Sequence, residues 1–299
     1  MSLRRFAQLT LGYNLLVIVW GGYVRASGAG AGCGRHWPLC NGVVVPTNPA
    51  LNTMVEFAHR ITSGVALVLV VGLCLTTFRG TPPGHRVRRA AAGSLVFIIL
   101  EALVGAGLVL LALVANDDSA LRAVYLAVHL ANTFCLLACL TATALWADRA
   151  DPGPRRPTNG GLVRFGWGTL GAILVVGITG AITALGDTLF PAASLEAGLA
   201  QDRSATAHFL LRLRVIHPAL AIGAASLAVW AAQRAVRQVD TPLVQSAGRW
   251  LIGLVVVQLA IGVVNLVLLV PIATQLLHLL VADLVWIAAV AMTAGLRDA

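Results

Sequence analysis

Four histidines stand inside long apolar stretches of the chain: His59, His129, His217 and His278. Ionisable side chains are costly inside a bilayer and usually mark function there. An imidazole on each of two facing helices is the ligand set that six-coordinate haem iron needs. One such histidine is often only a packing residue, but four at similar depth are hard to explain in that way. Zinc is a poorer interpretation because no further histidine or cysteine ligand is evident at that depth.

A carboxylate accompanies one of these histidines. Residues 56–60 read EFAHR, so Glu56 lies three residues before His59 and shares its helix face. The corresponding position in the second half of the chain is Arg214. A carboxylate beside one site only indicates chemistry there, and electron transfer or a structural role at the other. The alternative is that Glu56 forms an interfacial ion pair with Arg60 or another cation.

Two cysteines frame the sequence CGRHWPLC, which occupies residues 33–40. The loop between them is short enough to be bridged, and the outside of a membrane is oxidising. A structural disulfide between Cys33 and Cys40 is therefore the first expectation, and a redox-active one remains open because exposed pairs can exchange thiols. The matching loop, residues 186–204, has no cysteine.

The elements that must position these residues are membrane helices. The chain has 299 residues, of which 58% are hydrophobic and 11% charged, whereas soluble domains carry roughly 25% charge. Membrane topology explains the net charge of +9 better than a nucleic-acid partner does. Eight segments are long enough to cross ~30 Å of hydrocarbon, and they lie near 6–25, 54–78, 90–115, 120–147, 162–185, 205–232, 248–271 and 273–296. The sequence thus predicts an all-α integral membrane protein.

Arginines between the spans predict the orientation, because positive loops stay on the cytoplasmic side. They are Arg4 and Arg5, then Arg79, Arg86, Arg88 and Arg89, then Arg149, Arg155 and Arg156, and finally Arg234 and Arg237. All fall on one side, so both termini are predicted to be cytoplasmic. The two long loops, residues 26–53 and 186–204, are predicted to be extracytoplasmic, in a multi-pass protein of the cell (plasma) membrane.

An internal repeat divides the chain at the linker-like stretch 148–161. We predict an N-terminal half, 1–150, and a C-terminal half, 151–299, each of four helices. The matching positions are His59 with His217 and Gly22 with Gly180 at a shift of 158, Gly105 with Gly262 and Glu101 with Gln258 at 157, and His129 with His278 at 149. Each half has an even number of spans, which predicts two parallel four-helix-bundle repeats.

These features together resemble the haem A synthase family, over nearly the whole chain. The resemblance rests on the eight helices in two halves, the EFAHR motif, the other three histidines and the outer cysteine pair. It implies a membrane oxidoreductase that oxidises a methyl group of haem O to the formyl group of haem A by successive hydroxylation. The product serves terminal oxidases of the haem-copper type.

The resemblance also assigns roles to the residues. His59 and His129 would flank the substrate haem in the N-terminal half, with Glu56 beside it as a catalytic carboxylate. His217 and His278 would ligate a haem b in the C-terminal half. Cys33 and Cys40 would form the loop disulfide. Many members carry a second outer cysteine pair, which this sequence lacks.

Haem propionates are anionic and need cationic partners near the surface. The candidates are Arg60, Arg25 and Arg35 in the N-terminal half and Arg212 and Arg214 in the C-terminal half. The expected partners are haem O, handed over by a haem O synthase, an unidentified electron donor and membrane lipid. A homo-oligomer is left open, and no nucleic acid is expected.

Two other classes compete with the enzyme. A non-enzymatic b-type cytochrome that passes electrons from quinol explains the histidines equally well, but not the glutamate and cysteine loop of one half. A transporter built on the repeat has little support from the few intramembrane charges, of which Glu101 and Asp283 are the exceptions. We interpret Glu101 as a polar helix contact or as part of an electron or proton path.

Overall fold

The computed structural model describes residues 1–148 and 159–299 and is all-helical over them. Its helices are α1 Leu3–Ala26, α2 Leu51–Gly80, α3 Arg86–Leu110, α4 Ala120–Trp146, α5 Gly160–Leu189, α6 Leu195–Arg203, α7 Phe209–Gln238, α8 Pro242–Val267 and α9 Ile272–Asp298, with a 3-10 turn at Ala29–Ala31. Eight of these, all except α6, are long and apolar enough to cross a membrane. The predicted all-α integral membrane architecture is confirmed.

Polar caps mark the starts of three spans, of which α1 and α5 begin three and two residues earlier than predicted and α4 begins at its predicted residue. The side chains of Ser2, Ser119 and Asn159 accept hydrogen bonds from the first turns of α1, α4 and α5, which satisfies backbone donors that have no partner within the helix. Helix α8 begins six residues earlier than predicted, with Pro242 in its first turn.

Two helix ends come earlier than predicted. Helix α3 ends at Leu110 rather than near 115, and α8 ends at Val267 rather than near 271. Left-handed residues follow both ends, with φ of 58° at Ala112 and 59° at Leu269, and such a conformation stops a helix.

The spans form two rings of four. In the first ring α1 and α3 each pack against α2 and α4, so α2 and α4 occupy opposite corners. In the second ring α5 and α8 each pack against α7 and α9, so α7 and α9 occupy opposite corners. Each ring is a four-helix bundle, and the division of the chain into two parallel repeat halves stays a prediction.

The two bundles meet where α4 packs against α5 and α9, and where α1 packs against α9. Trp286 of α9 stacks on Phe134 of α4 with ring centroids 4.7 Å apart. The Trp286 indole nitrogen also donates a hydrogen bond to the Phe134 carbonyl at 2.7 Å. Helix α9 is thereby fixed to the neighbouring bundle.

The predicted linker lies largely outside the described residues, and so do Arg149, Arg155 and Arg156. The division at 150 and 151 therefore stays a prediction. Arg86 at the start of α3 pairs with Asp298 at the end of α9, and it stacks over Trp146 at the end of α4. These contacts place three predicted cytoplasmic helix ends together, while the side of the membrane stays a prediction.

Candidate functional site

The four histidines lie on opposite corners of the two bundles. His59 belongs to α2 and His129 to α4, and their imidazoles are close enough to interact electrostatically. His217 belongs to α7 and His278 to α9, and these two rings interact in the same way. The structure therefore brings together the two pairs that the sequence predicts.

A glycine lies against one histidine in each pair. A methyl group added at Gly21 of α1 would come within 3.0 Å of the His59 ring, and one added at Gly180 of α5 would come within 3.0 Å of the His217 ring. The absence of a side chain at these positions gives the imidazoles their room. The same cradle occurs in the first helix of each bundle.

The other histidine of each pair meets a polar residue on the third helix of its bundle. His129 Nδ1 lies 3.4 Å from Glu101 Oε1, and His278 Nε2 lies 3.2 Å from Gln258 Nε2. Glu101 and Gln258 are matching positions of the proposed repeat, so the equivalence recurs in side-chain contacts. The internal repeat in the sequence pairs Glu101 with Gln258, but the sequence alone does not place either residue beside a histidine.

Glu101 is itself held by its neighbours on α4. Thr133 donates a hydrogen bond to Oε1 at 2.5 Å, and Asn132 donates one to Oε2. Glu101 therefore joins α3 to α4, as the polar helix contact proposed from the sequence requires. The same bonds fix the carboxylate beside His129, where it can orient the imidazole.

The donor set fits haem. Among the described residues, the buried Nδ1 atoms of His59 and His278 have no hydrogen-bond partner, and that of His129 has only the 3.4 Å contact with Glu101, which is not a hydrogen bond. Leaving such an atom unpaired costs about 1–3 kcal/mol. His217 Nδ1 lies 3.1 Å from Thr179 Oγ1, which leaves Nε2 for another partner. Within residues 1–148 and 159–299 no group of three or more metal-ligating side chains occurs. Two facing imidazoles per site suit an iron porphyrin better than zinc.

Glu56 fastens the outer loop to α2. Its side chain is buried, and Oε2 accepts a hydrogen bond from the Cys33 backbone N–H at 2.8 Å. Oε1 accepts from Arg60 Nη2 at 2.5 Å. The interfacial ion pair that the sequence left as an alternative is thus present. The partners of Glu56 are Cys33 of the loop and Arg60 of α2, whereas the His59 ring lies against Gly21 of α1. The catalytic role of Glu56 stays a prediction.

Arg60 completes the attachment of the same loop. Its Nη1 donates to the carbonyls of His36 at 2.6 Å and Leu39 at 2.5 Å. Cys33 and Cys40 are bridged in the structure. The ionisable residues at the start of α2 therefore hold the disulfide loop against the helix that carries His59.

The outer end of the C-terminal bundle is fastened by ion pairs. Arg214 of α7 lies 2.9 Å from Asp187 of α5 and 2.7 Å from Asp202 of α6. Helix α6 was not predicted, and Asp202 is the residue that ties it to α7. Both carboxylates form ion pairs with Arg214. Its role toward a haem propionate stays a prediction.

The prediction that placed Arg25 in the N-terminal site needs correction. Arg25 ends α1, but its guanidinium donates to the Ala184 carbonyl at 2.8 Å and to Thr188 Oγ1 at 2.9 Å, both in α5. It also donates to Gln275 Oε1 of α9 at 2.8 Å. Because α1 borders the second bundle, the long side chain reaches across the interface to the C-terminal half.

Two further arginines proposed for propionates bind backbone carbonyls. Arg35 donates to the Leu110 carbonyl at 3.0 Å, and Arg212 donates to the Ala205 carbonyl at 2.9 Å. Both contacts lie at the predicted outer end of a bundle. Their role toward a haem stays a prediction.

Comparison with known proteins decides the family. The model for COX15-CtaA, described as cytochrome oxidase assembly protein, matches residues 4–290. The chain belongs to the COX15-CtaA family. A relative from Thermus thermophilus, named protoheme IX farnesyltransferase, is 44% identical over 283 residues, which are 94% of this chain and 46% of the relative.

Other curated relatives of the chain are named heme A synthase. One from Exiguobacterium is 34% identical over 141 residues, covering 47% of this chain and 45% of the relative. One from Bacillus cereus is 37% identical over 128 residues, covering 42% of this chain and 40% of the relative. The chain spans about half the length of the curated relatives it matches. The resemblance to haem A synthases and the multi-pass membrane architecture are confirmed at the level of the family.

Proposed function

We propose that this protein is a haem A synthase, which oxidises a methyl group of haem O to the formyl group of haem A by successive hydroxylation. The observation that carries the proposal is the pair of histidine sites, repeated in two bundles with the same glycine cradle. Family membership supports it, because several curated relatives are named heme A synthase. The product would serve haem-copper oxidases, which agrees with the family's description as cytochrome oxidase assembly proteins.

The N-terminal bundle is the proposed substrate site. His59 and His129 would hold haem O between opposite corners of the ring, and Glu101 would orient the His129 imidazole. The bound haem supplies the iron-centred chemistry that methyl oxidation needs, while the protein supplies binding and orientation. The ring of helices would also keep the substrate out of bulk water.

The C-terminal bundle is the proposed electron-transfer site. His217 and His278 would hold a haem b, with Thr179 fixing the His217 ring through Nδ1. Gln258 contacts the other imidazole where Glu101 stands in the first bundle. A neutral amide there and a carboxylate in the first bundle support different tasks for the two sites.

Glu56 is proposed to act at the substrate site from its outer rim. A carboxylate there can stabilise developing positive charge or accept a proton during oxidation. Its bond to the Cys33 N–H supports a further task, which is to hold the disulfide loop over the site. A loop held in this way controls access to the outer end of α2.

The substrate would come from a protoheme farnesyltransferase. The Thermus relative carries that name, and this chain matches only 46% of it. In that relative, the segment similar to this chain is joined to about as much further sequence. The presence of both parts in one protein indicates that two consecutive reaction steps are coupled. We infer that haem O, a farnesylated haem, passes from such an enzyme to this protein. The fold does not identify the electron donor.

Pigment extraction tests the proposal. The protein should be expressed together with a supply of haem O, and the extracted haems separated by chromatography. Haem A should appear with this protein and not with its His59→Ala variant. A purified protein that binds haem b, receives haem O and electrons, and forms no haem A would instead support the b-type cytochrome, which the histidine pairs alone explain equally well.

A further inference from the structure

Asp283 is a carboxyl group that neither histidine site uses. It lies in α9 and is 0% exposed. Neither of its two oxygens has a hydrogen-bond partner within residues 1–148 and 159–299. Buried polar groups are nearly always hydrogen-bonded, so an unpaired carboxyl inside a membrane bundle calls for a functional explanation.

The side chain faces the seam between the bundles, which we define as the contact of α9 with α1 and α4. Leu279 of α9 lies so close to Gly22 of α1 that a methyl group there would be 2.8 Å from it. Trp286 of α9 donates to the Phe134 carbonyl of α4. Asp283 lies four residues after Leu279 and three before Trp286, so all three share one helix face.

The surroundings of Asp283 oppose a negative charge. A carboxylate that leaves water for a low-dielectric interior without a paired cation costs several kcal/mol. Among the described residues no cation contacts either carboxyl oxygen of Asp283, and the carboxyl group of Glu101 lies close enough to disfavour a negative charge there. Asp283 is therefore a neutral carboxylic acid in the resting protein, and it carries one proton.

This proton lies between the two histidine sites. Asp283 follows His278 by five residues on the same helix, a rise of ~7.5 Å. Its carboxyl group also lies within electrostatic range of Glu101, the residue that contacts His129. The seam thus contains one ionisable acid with a proton to give, within reach of the N-terminal bundle.

The proposed reaction consumes protons at the N-terminal site. Each hydroxylation converts one C–H bond to C–OH, reduces dioxygen to one water, and takes up two electrons from the donor and two protons. These protons must cross an apolar bundle. We propose that Asp283 is a buried proton donor that serves the N-terminal histidine site from the seam and is recharged from solvent. The inference rests on the proposed function.

Infrared spectroscopy of the purified holoprotein tests the proton itself. A protonated carboxylic acid shows a carbonyl stretch that a carboxylate lacks, and the band moves when D2O replaces the proton. We expect one such band to shift on isotopic labelling of aspartate, to move in D2O, and to vanish in Asp283→Asn. The control Asp240→Asn removes an exposed aspartate and should leave the band in place.

Two infrared outcomes would overturn the proposal. If no aspartate band of a protonated acid is found in the labelled wild-type protein, Asp283 is ionised. If the band is present but does not move in D2O, the proton is not renewed from solvent and Asp283 cannot be a recurrent donor. Both results come from the unmutated chain, so they do not depend on whether a variant folds.

A second measurement tests delivery to the N-terminal site. Asp283→Asn keeps the size of the side chain and removes the proton. We expect the haem b spectrum to be unchanged, haem A formation to fall roughly 100-fold, and hydrogen peroxide to rise because reduced dioxygen is released without product. Normal haem A formation without peroxide in this variant would show that protons arrive by another route.

The two arms separate this inference from the proposed function. If the wild-type protein forms no haem A, the proposed function fails, and delivery to that site fails with it. The infrared result would still decide whether Asp283 holds an exchangeable proton. If haem A forms normally and the band is absent, only the inference about Asp283 is wrong.

Discussion

The predicted outer ends of the two bundles are fastened by different chemistry. In the N-terminal half a disulfide loop is held to α2 by the Glu56–Arg60 pair. In the C-terminal half the short helix α6 is held to α7 by Arg214 and Asp202, with no cysteine in the loop. Deeper in the membrane the halves agree, since each has a histidine on a glycine and another beside a polar residue of the third helix.

This contrast shows which parts of the scaffold are duplicated and which are specialised. The histidine pair and the glycine that lies against one of its rings occur in both bundles, which agrees with the proposal that both sites hold a planar cofactor. The fastening differs because one rim keeps its carboxylate beside a covalently closed loop, whereas the other uses its charges to bind α6. That difference supports the proposal that the N-terminal rim has a chemical role which the other rim lacks.

Removing a histidine should give the largest effect. We expect His217→Ala and His278→Ala each to abolish the low-spin spectrum of bound haem b, because two imidazoles per iron are needed. His59→Ala should retain that spectrum and lose haem A formation. Absorption spectra of the purified variants measure both, and if the two C-terminal variants keep an unchanged spectrum, haem b is not bound there.

Neutralising Glu56 should give the next largest effect. Glu56→Gln preserves the shape of the side chain and removes the charge that accepts from Arg60 and Cys33. We expect haem b to be retained and haem A formation to fall by roughly 100-fold. Pigment extraction would also reveal an accumulated hydroxylated intermediate.

The matched control for Glu56 is Arg60→Gln, which breaks the same ion pair and keeps the carboxylate. If both variants lose activity equally, the pair acts by holding the loop. If Glu56→Gln forms haem A at the normal rate, Glu56 is an interfacial ion-pair residue only, and the proposed asymmetry of chemistry between the halves fails.

Filling a glycine cradle should give a moderate effect confined to one half. Gly180→Ala would place a methyl group 3.0 Å from the His217 ring, and overpacking costs about 1–3 kcal/mol. We expect this cost to reduce the binding free energy of haem b, which corresponds to a fall in haem b affinity of about 5- to 150-fold. Gly171→Ala on the same helix meets nothing within 4 Å and should leave haem b affinity unchanged.

The corresponding change in the N-terminal half is Gly21→Ala, with Gly12→Ala as its control. It should weaken haem O binding and leave haem b untouched, as measured by titration of the purified protein with each haem. Equal loss of both haems in either variant would show that the cradles support the fold as a whole and not one site each.

The sequence predicted the membrane spans and the histidine pairs for clear physical reasons. Apolar runs long enough to cross a bilayer have few alternatives, and ionisable residues within them stand out. The helix α6 was missed because its sequence LEAGLAQDR has no long apolar run. Its signals were local ones, a Ser194 cap, Glu196 in the first turn and Arg203 in the last.

Other predictions were wrong because they depend on how the helices pack against each other, which the sequence does not give residue by residue. The repeat alignment matched Gly22 with Gly180, yet the histidine of α2 lies on Gly21, and Gly22 faces Leu279 of α9 instead. Arg25 was placed in the wrong half because its helix borders both bundles. Such assignments depend on how the bundles are rotated against each other, and spacing along one helix does not give that rotation.

The most local effect is expected at the two rims, where the stability of each fastening can be compared directly. Replacing Cys33 and Cys40 together with serine opens a short covalent loop, which costs about 2–3 kcal/mol in the chain-entropy account. Asp202→Asn removes one ion pair that is only partly buried, and it should cost on the order of 1 kcal/mol. The exposed Glu196→Gln on the same helix is the control for the loss of a carboxylate.

Amide hydrogen exchange measures both local effects. It should accelerate within residues 33–40 in the cysteine variant, and within α6 in Asp202→Asn, each without change in the other rim. The larger local effect should belong to the disulfide, and exchange that rises in both rims in either variant would show that the two fastenings are not independent.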